Sequence, residues 1–289
     1  HLLANHYFLF VFFLFFDGVY FEGTDAARWL AKGRQILADE LDEQFLSDGG
    51  HYERSPMYHA ISLVDYLDVL NLMTGSQRAL HFDEQQRFTS RIHEALRFLD
   101  DICLPDGDIP LFNDAALGIA PPPGDILTYG NRIMTYKRRS FSAGLTTSEK
   151  SQTGYYVIRD ASDMMVIDCG PVGPDYQPGH AHADTLSFEL AVNGRRIIVD
   201  SGVYDYEPGR RRTYARSTRA HNTLCIDQQD QSETWGVFRV ARRAYPIYGR
   251  ITGDGEVRAT FEGAHDGYAR LSGRLTHSRV SEYVSPGEW

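Results

Sequence analysis

Lysine and cysteine are scarce in this chain of 289 residues, and no hydrophobic run is long. Only Lys32, Lys137 and Lys150 are lysine among 29 basic residues; the rest are arginine. Arginine's planar fork suits carboxylates and sulfates, although a GC-rich coding sequence produces the same bias. The three cysteines Cys103, Cys169 and Cys225 are odd in number and far apart, with no CxxC spacing, which excludes a disulfide framework. Each lies in an apolar run and is expected as a buried, inert thiol. The most apolar stretch, Tyr7 to Phe16, is far shorter than the roughly 20 residues a membrane helix needs. No membrane span is therefore expected. A basic surplus is missing too: 39 acidic residues outnumber the basic ones, for a net charge of −10. That excludes nucleic acid as a default partner, since phosphate contacts need a basic footprint. No initiator Met, basic n-region or small-residue cleavage site opens the chain. A fragment or processed form is expected, so missing targeting signals carry no weight.

What is present reads as a globular protein, 42% hydrophobic and 24% charged. The length suffices for one large domain or two ordinary ones, without disulfide staples. The first half is helical. Leu2 to Phe16 is apolar on nearly every side, which predicts a buried helix. Thr24 or Asp25 caps a second helix to about Phe45. Ser55-Pro56 is a strong start signal for a third, running to about Met73. Asp83 and Gln86 resemble a capping box for a fourth, to Leu99. Helices in series with short turns predict stacked hairpins, as in a solenoid or an α/α toroid.

Prolines at 105, 110 and 121–123 break this pattern. From Gly154 the period falls to two or to short apolar runs: YYVIRD, MMVID, LSFELAV, RRIIVD, NTLCID, YPIYGRI and VRATF. Asn193-Gly194 and Asp254-Gly255 are hairpin turns. These predict an antiparallel β domain, a sandwich, beginning near residues 140–150. No clear closing strand precedes Trp289, so a truncated sandwich is expected.

Four constellations carry candidate chemistry. The densest is Gly179-His180-Ala181-His182-Ala183-Asp184, followed by Asp200 and His221. On a strand, His180 and His182 share a face. Two His, a carboxylate and a third His form a plausible zinc set; the alternative is a polar cluster that pins strands. Next comes a loop of phenols and guanidinium groups: Tyr204, Tyr206, Arg210 to Arg212, Tyr214, Arg216 and Arg219. It suits an acidic sugar, Arg holding carboxylate or sulfate and Tyr stacking or giving a proton; the alternative is a solvated basic loop. The third is His51 to His59, with Glu53, Arg54 and Tyr58 at a helix start; spacing alone favours ordinary capping and a core Tyr58. The fourth, Asp106-Gly107-Asp108 with Asn113-Asp114, lacks EF-hand spacing and reads as a turn. His6, His81, His93, His265 and His277 have no obvious partners.

The run from Gly179 through GRRIIVDSGVYDYEPGRRRTYARSTRAHNTLCID to about residue 245 closely resembles the signature of the heparinase II/III-like family of polysaccharide lyases. DGGHYERSPMYHA and DGDIPLFNDAALGIA resemble its helical-domain motifs. The resemblance implies α and β domains: an incomplete (α/α) toroid over residues 1–145, then an antiparallel β-sandwich over 146–289, with the active site between them. It implies β-elimination on a uronic-acid-containing polysaccharide. A base takes the proton at carbon 5, an acid protonates the leaving oxygen at carbon 4, and the carboxylate is neutralised. Tyr58 matches the helical-domain catalytic Tyr, with Arg54 or another cation favouring its phenolate. His1 matches a His that contacts the substrate carboxylate, His180 the β-domain His of the cleft, and Tyr214 a second Tyr. His182, Asp200 and His221 match a structural zinc set. Glu53, Arg54, Arg216 and Arg219 are candidate substrate-binding residues. Ala4 stands where some members carry Glu.

Two other readings compete. One is a cupin-like metal-dependent enzyme centred on His180, His182, Asp200 and His221. The other is a non-catalytic glycan-binding or exopolysaccharide-assembly protein. The resemblance implies an acidic polysaccharide partner and a periplasmic or secreted bacterial protein.

Overall fold

The computed structural model describes residues 4–76, 82–138, 144–253 and 257–289. Five helices come first: α1 (Ala4–Tyr20), α2 (Thr24–Gln44), α3 (Pro56–Gly75), α4 (Phe82–Ile102) and α5 (Pro123–Met134). Their shared core holds Leu37, Leu41, Phe45, Leu63, Leu67, Leu70, Ile92, Leu96 and Leu99. Four follow the expected spans to within a few residues. α5 departs from expectation, because the Pro121–Pro123 run that reads as a breaker places Pro123 at the first helical position, where proline needs no N–H partner. Asp83 falls at the second position of α4. α1 is not buried all round: Val11 and Phe15 are buried against α2, while Phe13 is 59% exposed.

Strands β1 (Leu145–Lys150), β2 (Tyr155–Asp160), β3 (Asp163–Asp168), β4 (Phe188–Val192) and β5 (Arg195–Ile198) form an antiparallel sheet in sequential order. After α6 (Arg210–Ala215), β6 (Thr234–Trp235) and β7 (Arg239–Val240) make a small hairpin. β8 (Pro246–Gly253), β9 (Ala259–His265) and β10 (His277–Tyr283) form a second sheet with β9 central. β10 supplies the late strand that the sequence does not announce. Asn193 and Gly194 turn from β4 to β5 with positive φ, as expected; Asp254-Gly255 lies outside the described residues. NTLCID forms no strand.

β2 and β3 are buried on nearly every residue because their sheet is covered twice. Tyr156, Ile158, Met165 and Ile167 pack on Ala259, Phe261 and Tyr283 of the second sheet. Tyr155, Val157, Met164 and Val166 pack on Phe98 and Ile102 of α4 and on Phe112. The sandwich is thereby seated on the helical domain, and the seam holds the site. Cys103 is buried just after α4 and Cys169 between the two sheets, their thiols pushed up to about 11 and about 12 by burial. Cys225, expected buried, is half-buried. His265 and His277, which the sequence leaves unpartnered, hydrogen-bond each other at 2.9 Å.

Candidate functional site

Tyr58 stands in the first turn of α3, and its position follows from the cap. Ser55 Oγ accepts from the Tyr58 backbone N–H at 3.3 Å and donates to the Asp114 carbonyl at 2.6 Å. The approach to this cap is tight. Gly49 has φ +86, and a Cβ there would lie 2.2 Å from the Glu94 carbonyl oxygen, so the loop closes on α4 only with glycine. The Tyr58 ring lies parallel on His180, centroids 4.1 Å apart at 2°. Its hydroxyl meets the Tyr206 hydroxyl at 3.0 Å. Tyr58 is thus a partly exposed site residue, not a core aromatic.

His180 hydrogen-bonds through Nδ1 to the Glu53 carboxylate at 3.0 Å. That bond makes Nδ1 the donor to the carboxylate, so that in the neutral ring the lone pair lies on Nε2. Glu53 is 2% exposed. Burial pushes its carboxyl up, but the hydrogen bond and charge of His180 outweigh that and lower it. Glu53, expected among the substrate-binding residues, is thus buried beneath His180 and orients its ring.

Tyr206 completes the cluster. Phe238 packs 5.8 Å from its ring and 6.2 Å from that of His180. Beneath lies the buried Arg212, its guanidinium 5.1 Å from the centre of the Tyr206 ring. Arg212 is gripped by both carboxylate oxygens of Asp114, one at 2.8 Å. Asp114 Oδ1, which Arg212 also holds, takes His182 Nε2 at 2.7 Å, and the Asp114 backbone N–H donates to the His180 carbonyl at 3.0 Å. Asn113 accepts from the His182 backbone N–H at 3.0 Å and donates to the Arg54 carbonyl at 3.0 Å. The dipeptide Asn113-Asp114 thus joins the Tyr58 cap, the His180 segment and the Arg212 helix. Burial raises the Tyr58 phenol above its ordinary range despite the Tyr206 hydrogen bond and the Arg212 charge. Tyr206 is raised further, chiefly by burial. Both hold their protons at neutral pH.

A second cluster lies beside the first. One donor atom each from His182, Asp184 and His221 falls within 4.8 Å of the others, and all three residues are buried. His182 Nδ1 and His221 Nε2 have no hydrogen-bond partner. Their other nitrogens are taken by Asp114 and by Asp200, the latter at 2.9 Å. Metal-binding imidazoles are held in this way, one ring nitrogen on a carboxylate and the other left for the ion, and the Asp184 carboxylate is close enough to join them. Burial raises the Asp184 carboxyl, a cost that a cation would offset.

The structure redraws several sequence assignments. Residues 179–186 form a loop, not a strand, so His180 faces Tyr58 while His182 turns into the buried cluster. Asp200 hydrogen-bonds His221 Nδ1, and Asp184 is the carboxylate that has an oxygen within 4.8 Å of donor nitrogens of His182 and His221. Tyr214 is exposed, with its hydroxyl on the Arg219 carbonyl at 3.4 Å; Tyr206 is the phenol that meets Tyr58. Arg54 is spent on the carbonyls of Tyr52, Gln152 and Thr153, so the cation near Tyr58 is Arg212. Arg216 is buried on the Ala181 carbonyl and cannot hold a sugar. Arg219 is exposed. His1 lies outside the described residues. Sequence reasoning missed Asn113, Asp114, Asp184 and Arg212 as site residues; all sit inside motifs that it had quoted.

Further along α3, Asp65 is half-buried and pushed up to about 7, by burial first and then by the charge of Asp68. Its unfolded value is near 3.9. The folded state therefore binds this proton more tightly, and stability falls as pH rises from about 4 to about 7. Asp65→Asn is expected to melt higher than the parent at pH 8, by on the order of 1 kcal/mol of stability, with no gain near pH 4. Thermal melts at the two pH values check this.

The comparisons with known proteins bear on the family and the fold. Residues 3–120 match the family profile "Heparinase II/III N-terminus" and residues 146–289 match "Heparinase II/III-like, C-terminal". A heparin-sulfate lyase of Pedobacter heparinus is 27% identical over 239 residues, covering 74% of this chain and 35% of the lyase. The FtsZ-localized protein C of Caulobacter vibrioides is 25% identical over 257 residues, covering 85% of this chain and 40% of that protein. A solved heparinase III structure superposes with TM-score 0.75 at 22% identity, over 98% of this chain and 43% of the other. The chain thus spans well under half the length of these relatives. The fold is the incomplete (α/α) toroid with an antiparallel β-sandwich, and two profiles covering most of its length place the chain in the heparinase II/III-like family.

Proposed function

We propose that this chain carries the catalytic centre of a polysaccharide lyase that cleaves a uronic-acid-containing glycan, a glycosaminoglycan or related polymer, by β-elimination. The observation that carries the reading is the Tyr58–His180–Tyr206 cluster: a parallel phenol–imidazole stack with a phenol–phenol hydrogen bond, at the seam of the two domains. His180 presents a lone pair on Nε2 because Glu53 holds Nδ1, which suits it to take the carbon-5 proton. Tyr58 keeps its proton through burial, which suits it to protonate the leaving oxygen at carbon 4. The carbon–oxygen bond breaks, a double bond forms between carbons 4 and 5, and the proton taken up by His180 passes through solvent to the Tyr58 phenolate, which restores both groups for the next turnover. The test is the ultraviolet absorbance of the unsaturated uronate, followed against a panel of uronate polymers. New reducing ends without absorbance would mean hydrolysis and defeat the lyase reading.

His182, Asp184 and His221 would hold a zinc ion, which would supply a structural anchor. The burial of all three ligands argues against substrate chemistry there, and so against the cupin-like reading. The purified protein is expected to hold about one zinc per chain, and chelation to lower its melting temperature by about 5 °C or more. Metal analysis with paired melts decides; a metal-free protein that melts unchanged with chelator defeats the assignment. The intact phenol–imidazole cluster likewise favours catalysis over a non-catalytic assembly role. A periplasmic or secreted location fits a polymeric substrate.

A further inference from the structure

The β6–β7 hairpin brings a second kind of chemistry to the edge of the site. Trp235 pairs with Arg239 across the ladder, and Thr234 with Val240. Val240 packs inward on Val172, Ala181 and Ala244, so alternation turns Trp235 and Arg239 outward. Trp235 is 54% exposed, and the Arg239 guanidinium lies 4.6 Å over its ring. Arg239 is exposed, whereas the neighbouring Arg242 and Arg243 are paired with Glu233 and Asp175. The turn between them is fixed from below. Arg212 Nε donates to the Val237 carbonyl at 3.0 Å and Arg216 Nη1 to that of Gly236 at 3.4 Å. Its last residue is Phe238, the ring beside His180 and Tyr206. The same construction recurs two residues before Tyr206, where Arg211 lies 4.6 Å over the exposed ring of Tyr204.

We propose that the Arg239–Trp235 and Arg211–Tyr204 pairs are anion-binding subsites for charged groups on the sugars flanking the reacting uronate. The proposal rests on the lyase reading and deepens it. A guanidinium stacked on a ring keeps its in-plane N–H donors free for a planar carboxylate or a sulfate. The ring also holds the side chain in place, so less rotamer freedom is lost on binding. The chain as a whole carries −10 and repels a polyanion, so such a substrate needs local cations where it docks. Sulfate esters and uronate carboxylates share this chemistry.

The test is titration of the 289-residue chain with two probes, a sulfated glucosamine–uronate tetrasaccharide and its unsulfated counterpart, by calorimetry. Arg239→Gln is expected to weaken binding by about tenfold, the effect of losing a charged hydrogen bond. Trp235→Ala should do the same, and Trp235→Phe should retain most of the affinity. Arg250→Gln, on β8 and paired with Glu262, is the control and should bind as the parent does. A loss confined to the sulfated probe assigns the subsite to sulfate; an equal loss on both assigns it to carboxylate. Parent-like affinity in Arg239→Gln and Arg211→Gln overturns the subsites while leaving the lyase reading standing. Failure of the unsubstituted chain to bind either probe overturns the subsites, while the absorbance assay decides the lyase reading separately.

Discussion

Tyr58→Phe is expected to slow β-elimination by about 10²- to 10⁴-fold, the span that a positioned proton donor contributes. The phenylalanine ring keeps the stack on His180, so the substitution removes one hydroxyl and its bond to Tyr206 and little else. The loss should therefore fall on kcat, with KM little changed, because the proton moves only in the transition state. Its melting temperature should stay close to the parent's, since the deleted hydroxyl is partly exposed and leaves no buried donor unpaired. The absorbance assay, beside a thermal melt, separates these effects. A variant that retained most of its rate would remove Tyr58 from the chemistry and shift the acid role to Tyr206.

Asp114→Ala is expected to be the most destabilising single substitution in the site, by about 3–5 kcal/mol, the cost of breaking a buried ion pair from one side. Asp114 is fully buried, and its loss leaves the Arg212 guanidinium and His182 Nε2 without their carboxylate. Burial raises the Asp114 carboxyl, but His182 and Arg212 lower it further, so it is ionised in the folded protein. Asp114→Asn keeps an acceptor and should cost less. Adding Arg212→Met to Asp114→Ala removes the stranded charge and should recover part of the loss, a coupling that a double-mutant cycle in urea measures. Additive losses would mean that Asp114 and Arg212 stabilise the protein independently.

The local signals were legible one by one. Ser55-Pro56 starts α3 as its residue types dictate, because a hydroxyl satisfies an orphan N–H and proline lacks one. The alternating and apolar runs of residues 155–168 mark β2 and β3, and Asn193-Gly194 marks their neighbour's turn. The GHAHAD and SPMYH blocks name the two halves of the site. What failed were inferences that needed a neighbour. The strand-like HxH alternation gave His180 and His182 one common face, yet a loop sends them to different clusters. Arginine content pointed at sugar binding, yet Arg54 and Arg216 are consumed by backbone carbonyls. Asn113-Asp114 read as a turn because its partners lie tens of residues away.

The sequence by itself determined the helical first half, the antiparallel second half and the chemical inventory of the seam, because caps, periodicity and turn residues act over a few positions. Only the tertiary structure decided which phenol meets Tyr58, which carboxylate joins the two histidines, and which arginines remain free. Those choices depend on burial and on partners brought together from both domains, where an unpaired charge or orphaned nitrogen is costly and each side chain settles on whatever long-range contact satisfies it.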